Sequence, residues 1–132
     1  MGALSLGVVL SKLREKRGLR LRELGTLADI NHSYIQKLEV GERTAPSNVV
    51  LQQLMKILRP NAREKRIFEF VLANPSAVPH LVDYALDNES VTIDELAMAA
   101  SAAHRGTGRP DPNILIEKAR IALKAIEEAS RT

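Results

Sequence analysis

The sequence predicts an all-α protein: a helical domain in the amino-terminal half followed by a small helical oligomerisation domain. Three observations predict it. Apolar residues fill 45% of the 132 positions but aromatics only 3%, so a core must be built from Leu, Ile, Val and Ala, which suit packed helices better than a sheet. Apolar residues recur at i, i+3, i+4 and i+7 along most of the chain. Capping residues stand ahead of these runs, and Gly or Pro follows them.

Composition also narrows the class. There is no cysteine, which removes disulfides and thiolate metal ligands. No apolar run approaches the ~18 residues of a membrane span and no signal peptide is recognisable, so a cytoplasmic protein is expected. The net charge of +3 is unevenly distributed. Residues 1–59 carry 10 Lys/Arg against 5 Asp/Glu, while residues 60–132 carry 9 against 11. A basic part joined to a faintly acidic one points to a polyanion-binding domain over 1–59 and a partner with another task over 60–132.

In LGVVLSKLREKRG, Leu6, Val9, Leu10 and Leu13 form one helical face and Gly18 stops the helix. Leu21, Leu24, Gly25 and Ala28 give a short second helix. Ile35 and Leu38 anchor a third, which begins at the capping residue Asn31 and ends at Gly41. Ser47 caps a fourth, carrying Val50, Leu51, Leu54, Ile57 and Leu58.

The corner between the second and third helices is the most specific feature. Counting from Leu21, apolar residues fall at the fourth, eighth, tenth, fifteenth and eighteenth positions (Leu24, Ala28, Ile30, Ile35, Leu38). The fifth is Gly25, small enough for two helices to cross steeply at short range. The ninth, Asp29, must turn the chain in a left-handed conformation that Asp tolerates. An ordinary helical hairpin has no need of this register; a helix-turn-helix does.

With LREKRGLRLRELGTLADINHSYIQKLEVGERTAP, including SYI, Leu38-Glu39-Val40-Gly41 and the Pro46-Ser47 opening of the fourth helix, residues 6–58 resemble the lambda-repressor-like, Cro-type (XRE) helix-turn-helix family of DNA-binding proteins. The resemblance implies a five-helix domain whose third helix lies in the DNA major groove, with dimers meeting paired half-sites. Outward side chains of that helix, His32, Ser33, Gln36 and Lys37, are then the base readers: Gln36 matches adenine, Lys37 guanine, and His32 and Ser33 are more permissive. Arg20, Arg22, Asn31, Tyr34 and Arg43 are the candidates for phosphate contact. Arg14 and Glu39 match family positions that pair, tying the first helix to the end of the third. One departure stands out. The family usually opens its second helix with a capping Ser or Thr and a phosphate-binding Gln, where this chain has Arg20 and Leu21.

Residues 60–132 are read from their pattern alone. Asn61 opens a helix with Ile67, Phe68, Val71 and Leu72 on one side, and Asn74-Pro75 closes it. A short helix follows over Val78 to Asp87. Thr92 and Glu95 form a capping box for ELAMAASAA, whose small residues allow close packing. HRGTGRPDP, residues 104–112, reads as a hinge or exposed connection. Asp111 and Pro112 start a last helix in which Leu115, Ala119, Ala122, Ile126 and Ala129 repeat at 4, 3, 4, 3. This heptad seam assigns Leu115, Ala119, Ala122 and Ile126 to a homodimer interface. Ile114, Ile121 and Leu123 widen the apolar face, so the helix is expected to pack on its own domain and on a partner at once.

The function expected is a sequence-specific transcriptional regulator, a dimeric repressor binding an inverted repeat in double-stranded DNA. The alternative is an antitoxin-like or immunity-module regulator whose second half binds, or is cleaved by, a co-encoded partner such as a peptidase. Catalysis is not expected: His32, His80 and His104 are scattered, and HExxH, GxSxG and GxxxxGK are absent. No metal or cofactor is expected. RNA binding lacks a stacking platform, since there are two tyrosines and two phenylalanines and both phenylalanines lie in a helix pattern.

Overall fold

The computed structural model describes residues 4–42, 46–105 and 111–131. They form eight helices: α1 (Leu4–Lys16), α2 (Leu21–Ala28), α3 (His32–Glu39), α4 (Asn48–Leu58), α5 (Ala62–Ala73), α6 (Pro79–Asp87), α7 (Ile93–Arg105) and α8 (Pro112–Ser130). No strand occurs among the described residues. The fold is all-α, with a helix-turn-helix unit at its amino-terminal end followed by a helical region.

Local chemistry sets the helix ends. Ser47 Oγ accepts the Val50 N–H at 3.2 Å and Asp111 Oδ1 accepts the Asn113 N–H at 2.9 Å. Reciprocal capping boxes join Asn61 to Glu64 and Thr92 to Glu95. Proline begins α6, where its missing N–H costs nothing. The first three helices all close in one way. A residue at the cap or just after it is left-handed (Gly18 at φ 68°, Asp29 at 58°, Gly41 at 82°). The N–H one further on then bonds five residues back: Leu19 to Arg14 O, Ile30 to Gly25 O and Glu42 to Lys37 O, at 2.9–3.1 Å.

Helix α1 is central to the packing. It lies against α3 on one side and against α5 and α6 on the other. Helices α2 and α4 complete the amino-terminal group, and α7 and α8 form an antiparallel pair resting on α6. The buried apolar side chains form one continuous cluster from Leu6 through Leu54, Ile67 and Leu81 to Ala119. Each fully buried Leu or Ile in it contributes about 1.5–3 kcal/mol. The parts divided at 59/60 therefore share one core, and the fifth helix, α5, begins beyond that division.

Polar clamps fix the same contacts. Lys12 Nζ lies 2.8 Å from Asp87 Oδ2 and 3.1 Å from Asp83 Oδ1, joining α1 to α6. Arg17 donates to the carbonyls of Leu58 and Arg59 at the end of α4. One terminal nitrogen of Arg63 donates to the carbonyls of Ala85, Asn88 and Val91, closing α6 and its following turn. Lys16 Nζ reaches the buried Glu64 carboxylate at 2.7 Å. Burial pushes the Glu64 carboxyl up, but the Lys16 ammonium and the Asn61 N–H outweigh it and leave its pKa lowered.

Helix α8 corrects part of the expected dimer seam. Leu115 and Ala119 are 6% and 3% exposed, buried in the protein's own core with Ile116. They cannot line a partner, because the small residues of α7, among them the buried Ala99 and Ala100, bring α7 directly onto this face. Ala122 is half-buried and Ile126 exposed. Among the described residues no helix is long and apolar enough to cross a membrane.

Candidate nucleic-acid interface

The corner between α2 and α3 is built on a single missing methyl. A Cβ on Gly25 would sit 2.7 Å from Ile30 O and 3.1–3.2 Å from the N and Cβ of His32, so any side chain would push the start of α3 off α2. Asp29 reverses the chain in the left-handed region, and the half-buried Ile30 packs against the core below it. The Asn31 side chain then accepts the Ser33 N–H at 2.8 Å and starts α3.

Within α3, Ile35 and Leu38 are fully buried, which fixes the helix's rotation. The remaining face carries Ser33, Gln36 and Lys37, all exposed, and Val40 continues it at the i, i+3, i+4, i+7 spacing with 52% exposure. The three polar residues supply a hydroxyl, a carboxamide and an ammonium on one strip. His32 stands apart from them. It is half-buried at the first position of α3, with its Cβ over Gly25, in a cleft lined also by Arg22, Thr26 and Asp29.

The flanks are basic. Arg20 and Arg22 are exposed at the start of α2, and Arg22 lines the cleft. Arg20 has donors and no acceptor, so it cannot cap α2 as Ser or Thr would; instead Glu23 turns back to accept the Arg20 N–H at 3.0 Å. Asn31 is exposed, its side-chain oxygen used by the cap and its amide nitrogen a remaining donor with no partner among the described residues. Tyr34 is half-buried and packs on the core through part of its ring. Arg43 lies outside the described residues.

Arg14 and Glu39 meet in a two-bond pair: Nε to Oε2 at 2.8 Å and the second guanidinium nitrogen to Oε1 at 3.0 Å. The third guanidinium nitrogen donates to Leu19 O at 2.9 Å. One side chain thus holds the end of α1, the loop before α2 and the end of α3.

Gly7 has a place here that the sequence reading did not assign. A Cβ on Gly7 would lie 2.2 Å from Glu39 O and 2.8 Å from Leu38 O, so α1 rests on the last carbonyls of α3 through a bare backbone. The signal was available: a glycine inside a helix costs about 1 kcal/mol against alanine and asks for a packing reason. Among the described residues no cluster of His, Asp or Glu is arranged to hold a metal ion.

A protein-family model described as a helix-turn-helix domain matches residues 5–65, which spans α1–α4 and the first turn of α5. No family model matches the rest of the chain, and comparison with curated proteins and with solved structures produced no match.

Proposed function

We propose, from the match of a helix-turn-helix family model to residues 5–65 and their likeness to the lambda-repressor type, that the protein is a sequence-specific DNA-binding transcriptional repressor acting as a homodimer on an inverted repeat. The observation that carries this reading is the exposed strip Ser33, Gln36 and Lys37, held outward by Gly25 and Asp29 and flanked by Arg20 and Arg22. A helix about 10–12 Å across fits the major groove. Gln36 pairs through its carboxamide with adenine, Lys37 donates to guanine O6 and N7, and Ser33 serves either. His32, lower and beside α2, reads the edge of the half-site. Arg20, Arg22, the Asn31 amide, the Tyr34 hydroxyl and Arg43 hold the phosphates and set the register. Two domains on one dyad place their half-sites about 34 Å apart or a small multiple of it.

Selection of bound duplexes from a random pool, followed by footprinting, tests the reading; recovery of no consensus, or of a consensus without two-fold symmetry, would refute it. Lys37→Ala should cost about 1–3 kcal/mol on the selected site and relax preference at one position of each half-site, whereas Arg22→Ala should weaken all sequences alike and flatten the salt dependence. Matching profiles for the two variants would contradict these roles.

A further inference from the structure

Four residues on the outer side of α8, Lys118, Ile121, Ala125 and Glu128, are all exposed, with Ile121 at 69%. At 3.6 residues per turn they fall on one strip about 80° wide, turned away from the buried Leu115, Ile116 and Ala119. Their spacing is 3, 4, 3, which reads the same from either end. Their chemistry inverts, from cation through two apolar residues to anion. A second copy of this helix laid antiparallel across the first, with the dyad at residue 123, brings Lys118 opposite the partner's Glu128 and Ile121 opposite the partner's Ala125, twice each. Such self-complementarity is what an isologous interface requires.

Charge pairing on α8 leaves the two charged residues of the strip, Lys118 and Glu128, together with the neighbouring Lys124, without an ion pair among the described residues. Arg120 pairs with Glu95 and Glu117, and Arg131 pairs with Glu127. Ile114, 48% exposed on the same strip, extends the apolar surface toward the start of the helix. Ile114 and Ile121, aligned on one strip, give a second copy of the helix an apolar surface to cover.

We propose that the protein self-associates through this strip, with two α8 helices antiparallel about a dyad at residue 123. This replaces the seam through Leu115 and Ala119, which the core already occupies. The small Ala125 lets the two helices approach, and the Lys118–Glu128 pairs at both ends fix the register and disfavour parallel pairing, which would set like charges together. The proposal deepens the dimer invoked for DNA binding, but its test contains no DNA, so a failed operator search and a failed interface are separate results.

Sedimentation of the full chain over a wide concentration range should show a monomer–dimer equilibrium. Ile121→Glu should raise its dissociation constant by about a hundredfold or more. Lys118→Glu and Glu128→Lys should each raise it about tenfold, since each places two like-charge contacts across the dyad. The double variant Lys118→Glu/Glu128→Lys should return to within about threefold of the parent. All four positions are exposed, so helicity by circular dichroism should be unchanged and loss of folding cannot mimic the effect. A monomer at every concentration, a dimer indifferent to Ile121→Glu, or a double variant no better than the singles would overturn the proposal.

Discussion

Helices α2 and α3 and helices α7 and α8 are both pairs of neighbouring helices, yet they meet in opposite ways. At the α2–α3 corner, backbone meets backbone: Gly25 leaves 2.7 Å between its absent methyl and Ile30 O. Along α7–α8, two helices pack at length, and Ala99, Ala100, Leu115 and Ala119 are all buried. The corner buries Leu24, Ala28, Ile35 and Leu38 and shows a polar strip on α3; the hairpin buries one apolar strip and shows isoleucines on a second. A steep crossing at a glycine yields a short rod in a fixed pose, suited to reading another molecule. A lengthwise packing yields a long free flank, suited to meeting a copy of itself.

Four measurements would break or sharpen this contrast. The largest effect is expected at the contact that seats α3. Gly7→Ala drives a methyl into the Glu39 carbonyl, which is backbone and cannot swing aside, so it should destabilise the fold by about 3 kcal/mol in denaturant unfolding, the upper end for overpacking. A loss under about 1 kcal/mol would mean that α1 is free to slide.

Next come the two arginine clamps. Glu39→Ala leaves Arg14, only 16% exposed, without its carboxylate and should cost about 3 kcal/mol, weakening DNA binding in parallel. Arg120→Ala removes a clamp whose arginine is 36% exposed and should cost under about 1 kcal/mol. Equal costs would erase the distinction between a rigid corner and a tolerant hairpin. Opposite in sign, Asp29→Gly relieves a left-handed aspartate and should stabilise the domain by about 1 kcal/mol, seen as a higher melting temperature.

The last prediction concerns acid. The folded pKa of Glu64 lies below its ordinary value of 4.5, so its ionised form contributes stability that is present above that pH and lost as pH falls through the lowered folded value. Lys16→Met removes the main lowering partner and leaves burial opposed by the Asn61 N–H and Arg17 alone, which brings the folded pKa back toward its ordinary value. The slope of stability against pH between about 5 and 3 should flatten; an unchanged slope would show that Lys16 contributes little to Glu64.

Much of the fold was legible because it is written in local signals. Asn31, Ser47, Asn61, Thr92 and Asp111 all stand where helices begin, and Gly18, Asp29 and Gly41 stand where the first three reverse. The polar strip of α3 followed from the period of Ile35 and Leu38. What was not legible depends on distant partners. Nothing near Arg63 indicates that it will gather carbonyls from residues 85, 88 and 91, or near Arg17 that it will close α4. The seam on α8 was misread for a related reason. That helix carries two apolar strips, and periodicity cannot say which of them α7 will cover. Leu115 and Ala119 repeat more regularly, and the neighbouring helix took them.

Helix α1 has one last consequence, for anyone who would dissect the molecule. Its outer flank leans on α5 and α6, and Lys12 finds its counter-ions at Asp83 and Asp87. A fragment trimmed at residue 59 would shed both supports and bare greasy side chains that water normally never touches. The reading head cannot be amputated cleanly; whoever wants it intact must carry the chain through α6.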